Sequence, residues 1–202
     1  MLLRQAGIEP ETRAPAVDEE AVIAAIEAID GPLSPAAHVV LLARRKAADV
    51  AAVLASEDRG FDGIVIGGDS MFEFAGEILG KPHTAAAATE RWRAMRGGTG
   101  VLHSGHSVIR LTPDTPSAEA FAVAEASVTF SSDVTDAEIA AYVATGEPLH
   151  VAGAFTIDSL GGAFIERIDG DPSTVVGMSL STVRHLARDL GVAWTDLWNR
   201  AS

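Results

Sequence analysis

The chain has no cysteine. That excludes disulfides, thiolate metal sites and a cysteine nucleophile, and it leaves the redox compartment open. Long hydrophobic runs are also missing. Nearly half of the residues are apolar, 48%, yet Gly, Pro and charges break them into short segments, and none reaches the length of a membrane span. The first residues, Met1-Leu2-Leu3-Arg4-Gln5, carry no apolar signal core and no cleavage site, which gives the expectation of a cytoplasmic protein with no membrane partner. Positive charge is scarce. Fifteen Lys and Arg face 28 Asp and Glu, a formal net charge of −13. Such a surface is unsuited to general nucleic-acid binding, which needs basic patches. A small phosphate ligand stays compatible with it, since a bound cation and a few lysines set the local sign. No internal repeat or low-complexity block occurs, and 202 residues suffice for one large domain or two small lobes.

The stretch with the most chemistry runs from Ile64 to Pro82. Ile64-Val65-Ile66 is a β-branched apolar run, read as a strand buried on both faces. Gly67-Gly68-Asp69-Ser70 follows, and the expectation is that Asp69 stands at the carboxyl end of that strand, where ligands of open α/β sheets bind. The same letters also make an ordinary turn. The glycines leave room for a backbone or a ligand to approach. Lys81 lies on a turn shaped by Gly80 and Pro82. A carboxylate and a lysine on such turns suit a metal-bound phosphate chain.

Before this stretch, Met1 to Ala6 reads as a helix end stopped by Gly7, and Glu9 to Ala16 as a loop or edge strand. Asp18 caps a helix with an apolar face of Val22, Ile23, Ile26 and Ile29, and Glu19 and Glu20 in its first turn suit the helix dipole. Ser34-Pro35 opens a second helix with a stripe of Val40, Ala43, Ala47, Val50 and Leu54. Lys46 borders that stripe, placed either to snorkel to water or to meet an anion.

After it, Phe72 to Ile78 reads as a hairpin-like strand, and Thr84 caps a helix to Met95 anchored by Trp92. Val101–Leu111 and Ala120–Phe130 read as antiparallel strands separated by a proline-containing loop. His103 and His106 fall on opposite faces of the first, poor spacing for joint metal ligation, so both are read as structural. Thr135 and Glu138 form a capping box for a helix that Gly146 stops. The glycines between Gly153 and Gly177 are not spaced as a dinucleotide fingerprint. A strand is expected over Ala163–Ile168. Ser179 or Ser181 caps a last helix ending at Gly191, and Trp194 and Trp198, four apart, are expected to share a helical face.

Taken in order, Asp18-Glu19, Ala43-Arg44-Arg45-Lys46-Ala47, Gly68-Asp69, Gly80-Lys81-Pro82, Tyr142 through Pro148, Ala152-Gly153-Ala154-Phe155, Ile168-Asp169-Gly170 and Val175-Val176-Gly177 resemble the Maf proteins. These are nucleoside triphosphate pyrophosphatases related to the inosine triphosphate pyrophosphatases. The resemblance covers Gly7 to Gly191 and implies one α/β domain over residues 1–202, two-lobed and elongated, with a mixed, bent sheet and a cleft between the lobes. It implies a hydrolase that cuts between the α and β phosphates, needs a divalent cation (Mg or Mn) and forms a homodimer. By motif, Asp69 matches the proton acceptor, Glu19 the second carboxylate for the cation, and Lys46 and Lys81 the phosphate-binding lysines. Ser70 and Asp158 fall at the positions that separate subfamilies. The dTTP/UTP enzymes resemble Asp-Thr with a later Gln, the 7-methyl-GTP enzymes Asp-Gln with a later Glu; this chain matches neither, which leaves the base open.

Two further departures stand out. Val151 replaces a lysine found in many members. Members also begin with a strand and a Ser-x-x-Arg loop upstream of where Met1 stands, so the expectation is an N-terminal strand and phosphate loop missing, and weak activity without them. The alternative function is a nucleotide-binding regulatory protein without turnover, linked to cell division.

Overall fold

The computed structural model describes residues 2–199. The elements follow local signals closely. Helix α1 (Leu2–Gln5) ends before Gly7. Helix α2 (Glu19–Asp30) is capped by the Asp18 carboxylate, which accepts from the Ala21 N–H at 3.0 Å. Helix α3 (Pro35–Glu57) starts with Ser34 as cap and proline in its first turn. Strand β1 (Gly63–Phe74) turns back into β2 (Glu77–Ile78) through Ala75 and Gly76, both at positive φ, as a tight hairpin turn requires. Then come α4 (Ala85–Met95, capped by Thr84), β3 (Thr99–Leu111), β4 (Ala118–Phe130) and α5 (Asp136–Ala144), whose capping box of Thr135 and Glu138 is formed on both sides. The chain continues through β5 (Ile165–Gly170), α6 (Pro172–Val175) and α7 (Leu180–Asp189), the last capped by Ser179.

The class is α/β, with a five-stranded sheet in the order β2-β1-β3-β4-β5. The strands pair antiparallel, with Glu73 opposite Ile78 in the hairpin and Val128 opposite Ile168 across β4 and β5. The parallel pairing that a mixed sheet implies is not found among the described strands.

One expectation is overturned here. Gly67-Gly68-Asp69-Ser70 is not a turn beyond a strand; β1 runs straight through it to Phe74. Asp69 and Ser70 therefore lie in mid-strand and point to opposite faces. Gly67 serves helix packing instead. A Cβ on Gly67 would overlap the Ala43 carbonyl oxygen and lie 2.8 Å from the Ala47 Cβ, and one on Gly105 of β3 would overlap the Val39 carbonyl. Helix α3 thus lies directly on two glycines of the sheet, and Ala43 and Ala47, both fully buried, keep its own side thin.

Smaller differences have equally local causes. Ile29 leaves the apolar face of α2 and is 80% exposed. Phe72 belongs to β1 and only Glu77–Ile78 forms the return strand. β5 begins at Ile165 because Leu160–Phe164 closes into a 3₁₀ turn. Trp194 starts another 3₁₀ turn, Trp194–Leu197, so Trp198 does not share an α-helical face with it. Trp194 packs near Val183 and Leu186, while Trp198 is largely exposed and lies against Gly7.

The chain divides into two compact units. The first comprises the chain up to Asp69, Ser104–Ala124, and the chain from Gly177 on. Its core has Ala47, Ala51, Val65, Ile109 and Leu111 beneath α3, and Val108, Val183 and Leu186 beneath α7. His106, on β3, is fully buried there, and its Nε2 accepts the Ser179 N–H at 2.9 Å. The second unit comprises Ser70–His103 and Glu125–Val176. Its core is aromatic. Trp92 meets Phe130 and Tyr142 edge-on with centroids 5.5 and 5.3 Å apart, and Phe155 meets Phe72 and Phe130 at 5.0 Å. Each such pair adds about 0.5–1.5 kcal/mol beyond area burial. The Trp92 indole donates to the Ala154 carbonyl at 2.7 Å, which satisfies the one polar atom of that buried ring. His103 is bonded at both nitrogens, to Glu125 and Glu73, each at 2.9 Å. Among the described residues, no helix is long and apolar enough to cross a membrane.

Seating α3 on glycine makes a clear prediction. Gly67→Ala is expected to destabilise the protein by about 1–3 kcal/mol through overpacking, seen as a lower thermal midpoint. An unchanged midpoint would show that α3 is not held this closely to β1.

Candidate functional site

Three charged side chains of the first unit meet at one ammonium. Lys46, on α3, donates to Asp69 Oδ1 on β1 at 2.8 Å and pairs with Glu19 Oε1 at the start of α2 at 2.9 Å. The glycine contacts of α3 set this distance, because they bring the helix backbone down onto β1 two residues from Asp69. The cap on Asp18 fixes where α2 begins and so delivers Glu19 to the same point. Lys46 does not snorkel: its side chain is 19% exposed and that of Asp69 15%, against 48% for Glu19.

Burial and pairing act against each other here. Burial pushes the Asp69 carboxyl above the usual aspartate range, and the Lys46 ammonium beside it only partly opposes the rise. For Lys46, burial alone would lower the pKa, but the hydrogen bonds to Asp69 and Glu19 outweigh it and hold the ammonium above the ordinary lysine value. A carboxylate whose pKa is lifted toward neutrality is a better proton acceptor than an exposed one. A shallow groove of about 410 Å³ adjoins the cluster, lined by Glu19, Glu20, Ile23, Glu27, His38 and Leu42.

The other sequence candidates lie in the second unit. Lys81 follows β2 on an exposed turn, and its ammonium makes no hydrogen bond or ion pair among the described residues. The turn itself is held. Arg91 donates to the Gly80 carbonyl, the His83 N–H to the Leu149 carbonyl at 3.0 Å, and the Gly153 N–H to the Leu79 carbonyl at 2.9 Å. Asp158 is exposed on the loop after Phe155, and its carboxylate likewise has no partner among the described residues. Ser70 follows Asp69 on β1. Val151, in place of a lysine, stands half-buried between the 3₁₀ turns Glu147–His150 and Ala152–Ala154. The structure therefore brings Glu19, Lys46 and Asp69 together, and places Lys81 and Asp158 in the second unit as uncompensated charges.

No group of three or more metal-binding side chains occurs among the described residues. That does not count against magnesium, which is commonly held by one or two carboxylates together with substrate phosphates and water. Glu19 and Asp69 meet that requirement.

Two features escaped the sequence reading. The chain has only two lysines, Lys46 and Lys81, every other strong cation being arginine; the rarity itself marks both. Glu147 stands within the Tyr142-to-Pro148 motif, where nothing in the sequence gives it a role. Its partners, Tyr142, Thr156, Ser159, Leu160 and Gly161, have no spacing that a sequence pattern reveals.

The profile of the family described as Maf-like protein matches residues 1–190. The chain is 60% identical over 200 residues to a nucleoside triphosphate pyrophosphatase of Leifsonia xyli subsp. xyli, covering 99% of this chain and 92% of that relative. Proteins of the same name from Rhodococcus opacus and Streptomyces coelicolor are 48% and 46% identical over 198 and 197 residues. Those matches cover 98% of this chain and 90% and 88% of the relatives. The motif order running from Glu19 through Lys46 and Asp69 to Lys81 thus has its explanation in descent: the chain belongs to the Maf family.

Proposed function

We propose that the protein is a nucleoside triphosphate pyrophosphatase that hydrolyses the bond between the α and β phosphates. The observation that carries this reading is the Asp69–Lys46–Glu19 cluster, its aspartate and lysine largely buried, in a chain whose relatives are named nucleoside triphosphate pyrophosphatase. In the reaction, the oxygen of water bonds to the α phosphorus and the bond from that phosphorus to the α–β bridging oxygen breaks. The products are a nucleoside monophosphate and pyrophosphate. Asp69 accepts the water's proton, a role suited to a carboxylate lifted by burial. Lys46 offsets the charge of the triphosphate and the charge growing on the leaving pyrophosphate, and Lys81 does the same at its own turn. Glu19 and Asp69 would hold a divalent cation, which supplies charge neutralisation and a more acidic water when bound. Ser70 and Asp158 are assigned to recognition of the substrate. An ionised Asp158 only accepts hydrogen bonds, so it favours a base edge that donates them, such as N1 and N2 of guanine or N3 of uracil and thymine.

The primary test is pyrophosphate release from a panel of nucleoside triphosphates with magnesium or manganese. Release from at least one is expected; binding without release from any would point to a regulatory nucleotide binder instead.

Asp69→Asn is expected to lower kcat by about 10²–10⁴-fold while the fold is retained. The raised pKa fixes the sign of the stability change. A carboxyl whose folded pKa is raised stabilises the fold fully below its unfolded pKa, and that contribution is lost as pH rises through the folded value. At neutral pH the buried Asp69 charge is therefore a cost, but the asparagine variant also takes from the Lys46 ammonium its Asp69 partner, so it is expected to melt earlier than the wild type while remaining folded. The same shift places the Asp69 titration of the cation-free protein above the ordinary aspartate range, and a bound cation would pull it lower. Full activity in the variant contradicts the assignment.

Glu19→Gln is expected to raise the cation concentration needed for half-maximal rate, with partial rescue at high cation. No change at limiting metal would return Glu19 to the role of a helix-start charge. Asp158→Ala is expected to change the ranking of triphosphates by kcat/KM, and an unaltered ranking removes it as a base reader.

A further inference from the structure

Glu147 opens the 3₁₀ turn after α5, and five donors converge on its carboxylate. They are the Tyr142 hydroxyl at 2.8 Å, the Thr156 hydroxyl, the Ser159 hydroxyl at 2.7 Å, and the N–H groups of Leu160 and Gly161 at 3.3 and 3.2 Å. A carboxylate offers about four lone-pair sites, so this one is saturated. Burial would raise its pKa, but the Thr156, Ser159 and Tyr142 hydroxyls and the Gly161 N–H carry it down to about 2. It is ionised at any working pH.

What these donors bracket matters more than their number. Four of them lie on the loop from Thr156 to Gly161, on both sides of Asp158, whose own carboxylate has no partner among the described residues. An exposed side chain on an otherwise unsupported loop samples many positions, and a recognition residue must be held in one. The other end of the same segment is tied to the Lys81 turn by the His83–Leu149 and Leu79–Gly153 backbone bonds. Backbone strain collects at this junction: His83 and Ala154, neither of them glycine, have φ of 60° and 63°. Such conformations persist only where the surroundings over-determine them. The saturated carboxylate and the Trp92 indole bond to Ala154 are what over-determine this region.

We propose that Glu147 is a positioning residue that fixes the Thr156–Gly161 loop, and with it Asp158, in register with the Lys81 turn, so that discrimination among triphosphates depends on it. The proposal rests on the pyrophosphatase reading above.

The test compares removal of the donors on either side of Glu147 in the full chain. The double variant Thr156→Val, Ser159→Ala removes the loop-side hydroxyls, and Tyr142→Phe removes the core-side one. Amide hydrogen exchange, melting temperature and kcat/KM on the triphosphate panel are measured for each. The loop-side variant is expected to exchange faster at Leu160 and Gly161. Its preference between best and poorest triphosphate should fall about tenfold, through KM rather than kcat. Tyr142→Phe should melt earlier and keep the wild-type preference; a purely structural role for Glu147 would give both variants this behaviour. Unchanged exchange in the loop-side variant, an unchanged preference despite faster exchange, or a wild type that turns over every triphosphate equally overturns the positioning role alone. A wild type that releases no pyrophosphate from any triphosphate overturns the pyrophosphatase reading, and this proposal with it.

Discussion

The first unit's site depends on one ammonium held by two carboxylates. Lys46 is largely buried, and a buried lysine without partners would give up its proton. Asp69 and Glu19 keep it charged. In return Lys46 makes a buried, ionised Asp69 tolerable, while burial still holds that carboxyl above its ordinary range. The trio carries one net negative charge in a chain that is already strongly acidic. On the function proposed above, a cation held by Glu19 and Asp69 would offset this charge and leave the ammonium to phosphate oxygens. On the proposed function Lys46 is the pivot: it neutralises carboxylates here and would neutralise phosphates with substrate bound.

Backbone packing places that pivot. Helix α3 approaches β1 and β3 at Gly67 and Gly105, where any side chain would collide with the helix carbonyls. The second unit solves a different problem. Its Thr156–Gly161 loop is irregular, and a single carboxylate, Glu147, replaces the ladder of hydrogen bonds that a strand would have provided. One unit thus fixes its charges through close helix–sheet contact, the other through a saturated acceptor.

Much of this was legible in the residues because the signals are local. Asp18, Ser34, Thr84 and the Thr135–Glu138 box each cap the helix they announce, since a cap needs only neighbours within one turn. The room for a backbone at Gly67 is legible and α3 fills it, but the end of the strand is not, because close packing and tight turns use the same residue. The pairing of Lys46 with Asp69 could not come from spacing. The order of the motifs singled out both residues separately, Lys46 for phosphate and Asp69 for the water, and only the folded chain shows them bonded to each other. Glu147 lay beyond reach, because five donors scattered from Tyr142 to Gly161 converge only once the loop has folded.

The pivot role of Lys46 is open to direct observation, because the chain has two lysines and selective ¹³C-lysine labelling gives one Cε signal for each. The measurement is a titration of the labelled protein with magnesium and a triphosphate whose α–β bridge is a methylene group, followed by NMR. The account predicts that the Lys46 signal shifts as the ligand saturates, because the ammonium exchanges carboxylate for phosphate oxygen. A Lys46 signal that stays in place at saturation would contradict it.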